Sequence, residues 1–168
     1  MNQSGPLLNR RQLIVGSSAT AAAVALGGCG GKDQPIVRPA GVPVGRFGKK
    51  STAEEVTAGI DLRGRTALIT GANSGLGYEA MRVLAMRGAH VLCAARTLEK
   101  AAAACAGIQG RTTPVAIELT DFPSIVVGTD AVRAMGMPID MLILNAGIMA
   151  LPELEQVNGL EKQFVTNH

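Results

Sequence analysis

The chain has 168 residues, 47% hydrophobic and 17% charged, which excludes disorder throughout and suits one domain with short appendages. Aromatics make up 2% (Phe47, Tyr78, Phe122 and Phe164), too few for a stacking platform for single-stranded nucleic acid, so the core must be aliphatic. The net charge is +3, and residues 1–28 hold Arg10 and Arg11 but no acid. Taking those two from the 16 Lys+Arg leaves 14 against 13 Asp+Glu, so no nucleic-acid partner follows from charge. Cys29, Cys93 and Cys105 offer neither a paired framework nor metal-ligand spacing, and no metal site is expected.

Residues 1–28 read as an export signal. Arg10-Arg11 precedes the apolar run Leu13 to Leu26, whose 14 residues fall short of the roughly 20 that a spanning helix needs. The stretch Asn9-Arg10-Arg11-Gln12-Leu13-Ile14 resembles a twin-arginine signal, with a basic segment for the general secretion route as the alternative. Leu26-Gly27-Gly28-Cys29 resembles a bacterial lipobox, in which Cys29 becomes the lipidated first residue of the mature chain. The expectation is an exported bacterial protein, periplasmic or at the cell surface, held to a membrane by lipid. Residues 29–50 follow as lipidated cysteine and tether, with Pro35, Pro39 and Pro43 interleaved among glycines. Ser51 to Glu54 has capping-box spacing and predicts a short helix ending near Gly59.

From Thr66 onward the hydrophobic period alternates between strand and helix. Thr66–Thr70, His90–Ala95, Pro114–Leu119 and Met141–Leu144 read as buried strands. Leu76–Arg87, the alanine-rich 98–106 capped by Thr97, and Ser124–Met135 behind Asp121 read as the helices between them. Asn158 and Glu161 suit the cap and third positions of one more helix. Strands buried on both faces and joined by helices predict right-handed crossovers on a parallel sheet. The expected fold is a doubly wound, Rossmann-like α/β domain over 51–168, cut off after about four strands.

The first strand-to-helix turn is Thr70-Gly71-Ala72-Asn73-Ser74-Gly75-Leu76-Gly77. Gly71 suits the tight turn, Gly75 lets backbone approach a phosphate, and Gly77 allows close packing of helix on strand. A helix N-terminus there presents free N–H groups to a pyrophosphate. A glycine triplet alone is weak, but its place after a strand and before a helix is the context that gives it meaning.

This turn, together with Asn145-Ala146-Gly147 after the fourth strand, resembles the short-chain dehydrogenase/reductase family. Asp61-Leu62-x-Gly64, Pro138-Ile139-Asp140-x-Leu142 and Gly159-Leu160-Glu161-x-Gln163-Phe164-x-x-Asn167-His168 look most like its retinol-dehydrogenase-like branch. The resemblance covers roughly 51–168 and implies a nicotinamide cofactor held by Gly71, Asn73, Ser74, Gly75, Leu76 and Gly77. It extends the cofactor contacts to Glu118 and Leu119, where the family carries Asp at the first position, and to Asn145, Ala146 and Gly147. Strand two ends in Arg96 rather than an acid, which favours NADP over NAD because a guanidinium pairs with a 2′-phosphate. The competing reading of Arg96, a solvated cation at a strand end, stays open.

The family's chemistry is hydride transfer between nicotinamide and a carbonyl or alcohol, with a Tyr as acid/base and a Lys four residues on lowering its pKa. Here the one tyrosine, Tyr78, is followed four residues later by Arg82 and reads as a helix residue. Asn167 aligns with the asparagine of the family's proton relay, and the catalytic Ser, Tyr and Lys are expected beyond His168. The chain therefore reads as the front part of an oxidoreductase acting on a small carbonyl or alcohol substrate. A non-catalytic NADP-binding module and an exported structural lipoprotein are the alternatives. Cys93 and Cys105 read as small core residues.

Overall fold

The computed structural model describes residues 45–168; Arg10-Arg11, Cys29 and most of the expected tether lie outside them. The elements are α1 (Ala53–Val56), β1 (Thr66–Thr70), α2 (Gly75–Met86), β2 (His90–Ala95), α3 (Leu98–Ala106), β3 (Arg111–Ala116), α4 (Phe122–Ala134), β4 (Met141–Ile143), β5 (Gln156–Val157), β6 (Leu160–Glu161) and α5 (Lys162–Asn167). The main sheet has the order β3-β2-β1-β4 with every pair parallel, the doubly wound, Rossmann-like arrangement expected.

Period-two alternation divides the core between the two faces of this sheet. Ala67, Ile69, Val91, Cys93 and Ala95 meet Met81 and Ala85 of α2 and Ala101 and Ala104 of α3 on one face. Leu68, Leu92, Ala94 and Val115 meet Ile117 and Val132 on the other. Small residues set how closely the helices approach. A Cβ on Gly128 of α4 would lie 2.5 Å from Ile117 Cγ1 and 2.6 Å from the Ala116 carbonyl oxygen, so only glycine fits there. Cys93 is fully buried, and burial, reinforced by the neighbouring Cys105, pushes its thiol up to about 12. Both cysteines pack in the core, as expected.

Four local readings need correction. The first helix is capped one residue later than expected: Thr52 Oγ1 accepts from Glu55 N at 3.2 Å while Glu55 Oε2 accepts from Thr52 N at 2.9 Å. Ser51 instead turns back, its Oγ accepting from Gly48 N. The third strand starts at Arg111 rather than Pro114, because its register against β2 begins at the pair His90–Arg111. Pro114 sits inside it without harm, since β3 is an edge strand. Asn158 and Gly159 begin no helix. Both have left-handed backbone, φ 53° and 78°, and turn the β5–β6 hairpin. Glu161 then caps α5, accepting from Gln163 N at 2.8 Å and Phe164 N at 2.6 Å. Finally, the fourth strand ends at Ile143 rather than Leu144 and is not buried on both faces: Leu142 is 62% exposed, and Leu144 just beyond it 77%, because β1 is its sole neighbour among the described residues.

Asp140 ties the start of β4 to the start of β1. Its Oδ2 accepts from Thr66 N at 2.8 Å and its Oδ1 from Arg65 Nη1 at 2.7 Å. The Thr66 amide first, and Arg65 second, hold its carboxyl below the ordinary 3.8. A carboxylate with a depressed folded pKa contributes stability above its unfolded pKa and loses it as pH falls through the folded one. The wild-type chain is therefore expected to exceed Asp140→Asn in denaturant midpoint at pH 7, with the gap closing below about pH 4. An equal gap at pH 7 and pH 2.5 would remove Asp140 from this role.

Candidate cofactor cleft

At the carboxyl end of the sheet, where the strand order reverses around β1, opens a cleft of about 520 Å³. Thr70 builds its floor. Its hydroxyl oxygen accepts from the amides of Asn145 and Ala146, each at 3.0 Å, and its carbonyl accepts from Asn145 Nδ2 at 3.0 Å. These three bonds lock the end of β4 to the end of β1. The amides of Gly71 and Ala72 donate to the Ala94 carbonyl at 2.9 and 3.3 Å, fixing the turn to β2 as well.

The glycines take the places their spacing implies. Gly71 has φ 66°, a left-handed turn, and a Cβ on it would come within 3.0 Å of Ala146 Cα. Gly77 lies against the locked corner, where a Cβ would be 2.5 Å from both Asn145 Nδ2 and the Gly71 carbonyl oxygen. Ser74 occupies the N-cap of α2 but its side chain makes no capping bond, and the first turn carries no acid. The leading amides of α2 thus stand beside the cleft without a side-chain acceptor among the described residues, at the positive end of the helix dipole.

The structure gathers nearly all of the expected cofactor residues at this one place. Gly71, Asn73, Ser74, Leu76, Arg96, Glu118, Leu119, Asn145, Ala146 and Gly147 all line the cleft. Gly75 and Gly77 sit within the α2 start that forms its wall. Glu118 is turned onto its own loop, its Oε1 accepting from Thr120 N at 3.0 Å and Thr120 Oγ1 at 2.9 Å. Arg96 is exposed and makes no hydrogen bond or ion pair to any described residue. Asn167 does not line the cleft. Its Oδ1 accepts from Ile148 N at 2.9 Å and its Nδ2 donates to the Ile148 carbonyl at 3.0 Å, so it holds the segment that follows Gly147. Tyr78 lies outside the cleft against Gly107, and Arg82 is spent on Glu54 and Glu79, consistent with a helix residue rather than an acid/base.

Sequence reading missed Thr70, Thr120, Lys162 and Thr166 as lining residues. Thr70 was recoverable in principle, being the last residue before the first glycine. Lys162 and Thr166 were not, because α5 reaches the cleft only through the hairpin that the Asn-Gly turn creates. Lys162 Nζ pairs there with Glu155 Oε2 at 2.6 Å.

The short chain dehydrogenase profile matches residues 65–167. Short-chain dehydrogenase TIC 32 B of Brassica napus, a chloroplastic protein, is 41% identical over 127 residues, 73% of this chain and 40% of that protein. The WW domain-containing oxidoreductase of Drosophila melanogaster is 42% identical over 130 residues, 73% of this chain and 32% of that protein. Among solved structures, a protein of unassigned role from Mycobacterium paratuberculosis superposes with TM-score 0.58 at 42% identity, covering 65% of this chain and 39% of that one. A structure described as a β-ketoacyl-ACP reductase follows, with TM-score 0.51 at 32% identity, covering 64% of this chain and 44% of that one. The chain spans about two fifths of the length of the first of these relatives. With the match over the sheet, the glycine turn and the Asn145 corner, this chain belongs to the short-chain dehydrogenase family.

Proposed function

We propose that these 168 residues form the cofactor-binding front of an NADP(H)-dependent oxidoreductase that interconverts a small carbonyl and its alcohol. The observation that carries the reading is one cleft joining amides at the start of α2 that no side chain caps with the guanidinium of Arg96, unpaired among the described residues. The donor set fits the cofactor: backbone N–H groups and a helix N-terminus suit the pyrophosphate, and the glycine turn leaves no Cβ in its path. When bound, the nicotinamide supplies hydride transfer. The chain's own residues bind and orient: Thr70 and Asn145 hold the corner, and Asn167 fixes the Ile148 backbone. We carry over from the family the proton-relay role of Asn167 and, from the motif ending in Asn167-His168, the retinol-dehydrogenase-like branch.

The 168 residues contain one tyrosine and no Tyr-x-x-x-Lys pair. A proton must move with each hydride, and no other described group in the cleft has a tyrosine–lysine pair's means to exchange it. The expected result is therefore binding without turnover, the behaviour of an NADP-binding module. Titrating the purified chain with NADPH by fluorescence should give saturable binding, while NADPH oxidation against a panel of aldehydes and ketones stays at the uncatalysed rate. Absence of binding in a cooperatively folded sample would overturn the cofactor reading, and turnover would overturn the inactivity.

Export and lipid anchoring complete the proposal, supported by Arg10-Arg11 and Leu26-Gly27-Gly28-Cys29. Cys29→Ala should move the protein from the membrane fraction to the soluble one. Retention on membranes in that variant would sink the lipid anchor.

A further inference from the structure

Between β4 and the β5–β6 hairpin the chain runs through Gly147, Ile148, Met149 and Ala150 outside any strand or helix. Its backbone polar groups still need partners, and α5 supplies them. Asn167 Oδ1 accepts from Ile148 N at 2.9 Å, and Asn167 Nδ2 donates to the Ile148 carbonyl at 3.0 Å. One turn earlier on the helix, Gln163 Oε1 accepts from Ala150 N at 2.9 Å. Among the described residues no other hydrogen bond reaches the backbone from Gly147 to Leu154.

The spacing explains why one helix can make both rungs. Extended backbone repeats every two residues and a helix face every four, so positions 150 and 148 fall opposite 163 and 167. Met149, between the rungs, is 78% exposed.

The rungs differ in what they hold. Ile148 and Gly147 line the cleft, whereas Ala150 lies behind them and has φ 51°, left-handed backbone in a residue that carries a Cβ. That conformation costs about as much as one hydrogen bond contributes. Without an acceptor at position 163, Ala150 is free to relax to ordinary backbone, which redirects the chain two residues from Ile148. Asn167 alone would then hold the wall of the cleft.

The cofactor reading proposed above gives this wall its task, and the inference rests on that reading. Arg96, after β2, takes the 2′-phosphate, and the α2 amides, after β1, take the pyrophosphate. The order β2-β1-β4 then carries the nicotinamide half toward the residues that follow β4, Gly147 and Ile148. We propose that Gln163 is a positioning residue for the nicotinamide half of the cofactor: by holding Ala150 in left-handed backbone, it keeps the Gly147–Ile148 wall in its binding shape. Its effect is on population. When only a fraction of molecules carry the formed wall, apparent affinity falls by that fraction.

The test compares two ligands on the 168-residue chain: NADPH, titrated by fluorescence, and adenosine 2′,5′-bisphosphate, titrated by calorimetry. The second lacks the nicotinamide half, so the ratio of the two affinities reads that half alone. Gln163→Met removes the acceptor at nearly constant length and should weaken NADPH about fivefold, the scale of one hydrogen bond, while the bisphosphate changes less than twofold. Gln163→Glu keeps an acceptor for Ala150 N and should restore the ratio; its added charge repels both ligands and largely cancels. Ala150→Gly removes the strain, so in that background Gln163→Met should lose little. An unchanged ratio in Gln163→Met would overturn the inference, whether both affinities held or both fell together. An equal loss in Gln163→Glu, or a fivefold loss persisting beside Ala150→Gly, would also overturn it. Failure of the parent chain to bind NADPH would instead overturn the cofactor reading, and this inference with it.

Discussion

Replacing Gly77 with alanine is expected to lower stability by about 1–3 kcal/mol, the usual cost of overpacking a close-packed site, and to abolish NADPH binding. The added Cβ would stand 2.5 Å from Asn145 Nδ2 and 2.5 Å from the Gly71 carbonyl oxygen, distances that require something to move. Neither neighbour is a free side-chain end. Asn145 is held by the Thr70 carbonyl and hydroxyl, and Gly71 by the hydrogen bond its N–H donates to the Ala94 carbonyl. Alanine's better helix propensity would return only about 1 kcal/mol, so the clash wins. Relief must come from tilting α2 away from β4, which turns its leading amides off the cleft. Gly75→Ala is the control for the stability cost alone, since Gly75 itself lies where backbone would approach the phosphate. Gly75 has φ 56°, but its Cβ would meet nothing within 4 Å, so the cost is backbone strain of about 1–2 kcal/mol with the corner intact. Denaturant midpoints on both variants, with NADPH titration of Gly77→Ala, separate the effects. If Gly77→Ala binds as the parent does, close packing of α2 on the Asn145 corner is not what makes the site.

Much of this corner was legible because each residue's local task leaves a mark on the sequence. A strand buried on both faces is written as an unbroken apolar run, and Thr66–Thr70 and His90–Ala95 were read to the residue. The β1-to-α2 turn was legible because left-handed backbone at Gly71 and absent room at Gly77 both select the same small residue. What was not legible depends on partners. Where β3 begins is set by pairing with β2, and Arg111, Thr112 and Thr113 carry no apolar signal to extend the run. Asn158-Gly159 suits either a helix start or a hairpin turn, and reading it as a cap hid α5's approach to the cleft. The neighbourhood of Arg65, His90 and Arg111 was equally hidden: these residues are separated by more than twenty positions at each step and come near one another only through the register of three strands.

The exposed strand β4 also follows from partners rather than from its own sequence. Met141-Leu142-Ile143 is as apolar as a central strand, yet Leu142 and Leu144 face outward, and Met149 and Phe164 are exposed with them. In the family, later strands add beside this one. Such an edge invites pairing with any other free strand.

Arg96→Asp is expected to weaken NADP binding by about a hundredfold while changing NAD binding by only a few-fold. Arg96 stands at the carboxyl end of β2, in the cleft and without a partner among the described residues, so its guanidinium is available for a ligand without breaking an ion pair to any of them. A charge-assisted, forked contact to a 2′-phosphate contributes about 1.5–3 kcal/mol, and its loss together with an introduced like charge accounts for the hundredfold. NAD has no phosphate there, and the new carboxylate can accept from its ribose 2′-hydroxyl, which offsets part of any general loss. Arg96→Lys separates charge from geometry: it keeps the cation but loses the fork, and should fall between parent and Arg96→Asp. Salt provides a second axis, since the screening length is about 8 Å at physiological ionic strength and shortens as salt is added, so the NADP preference should narrow as salt rises. Calorimetry with both cofactors reads all of these. Equal affinity of the parent chain for NAD and NADP would strip Arg96 of the role, because a guanidinium that does not discriminate between the two cofactors is making no contact with the one group by which they differ.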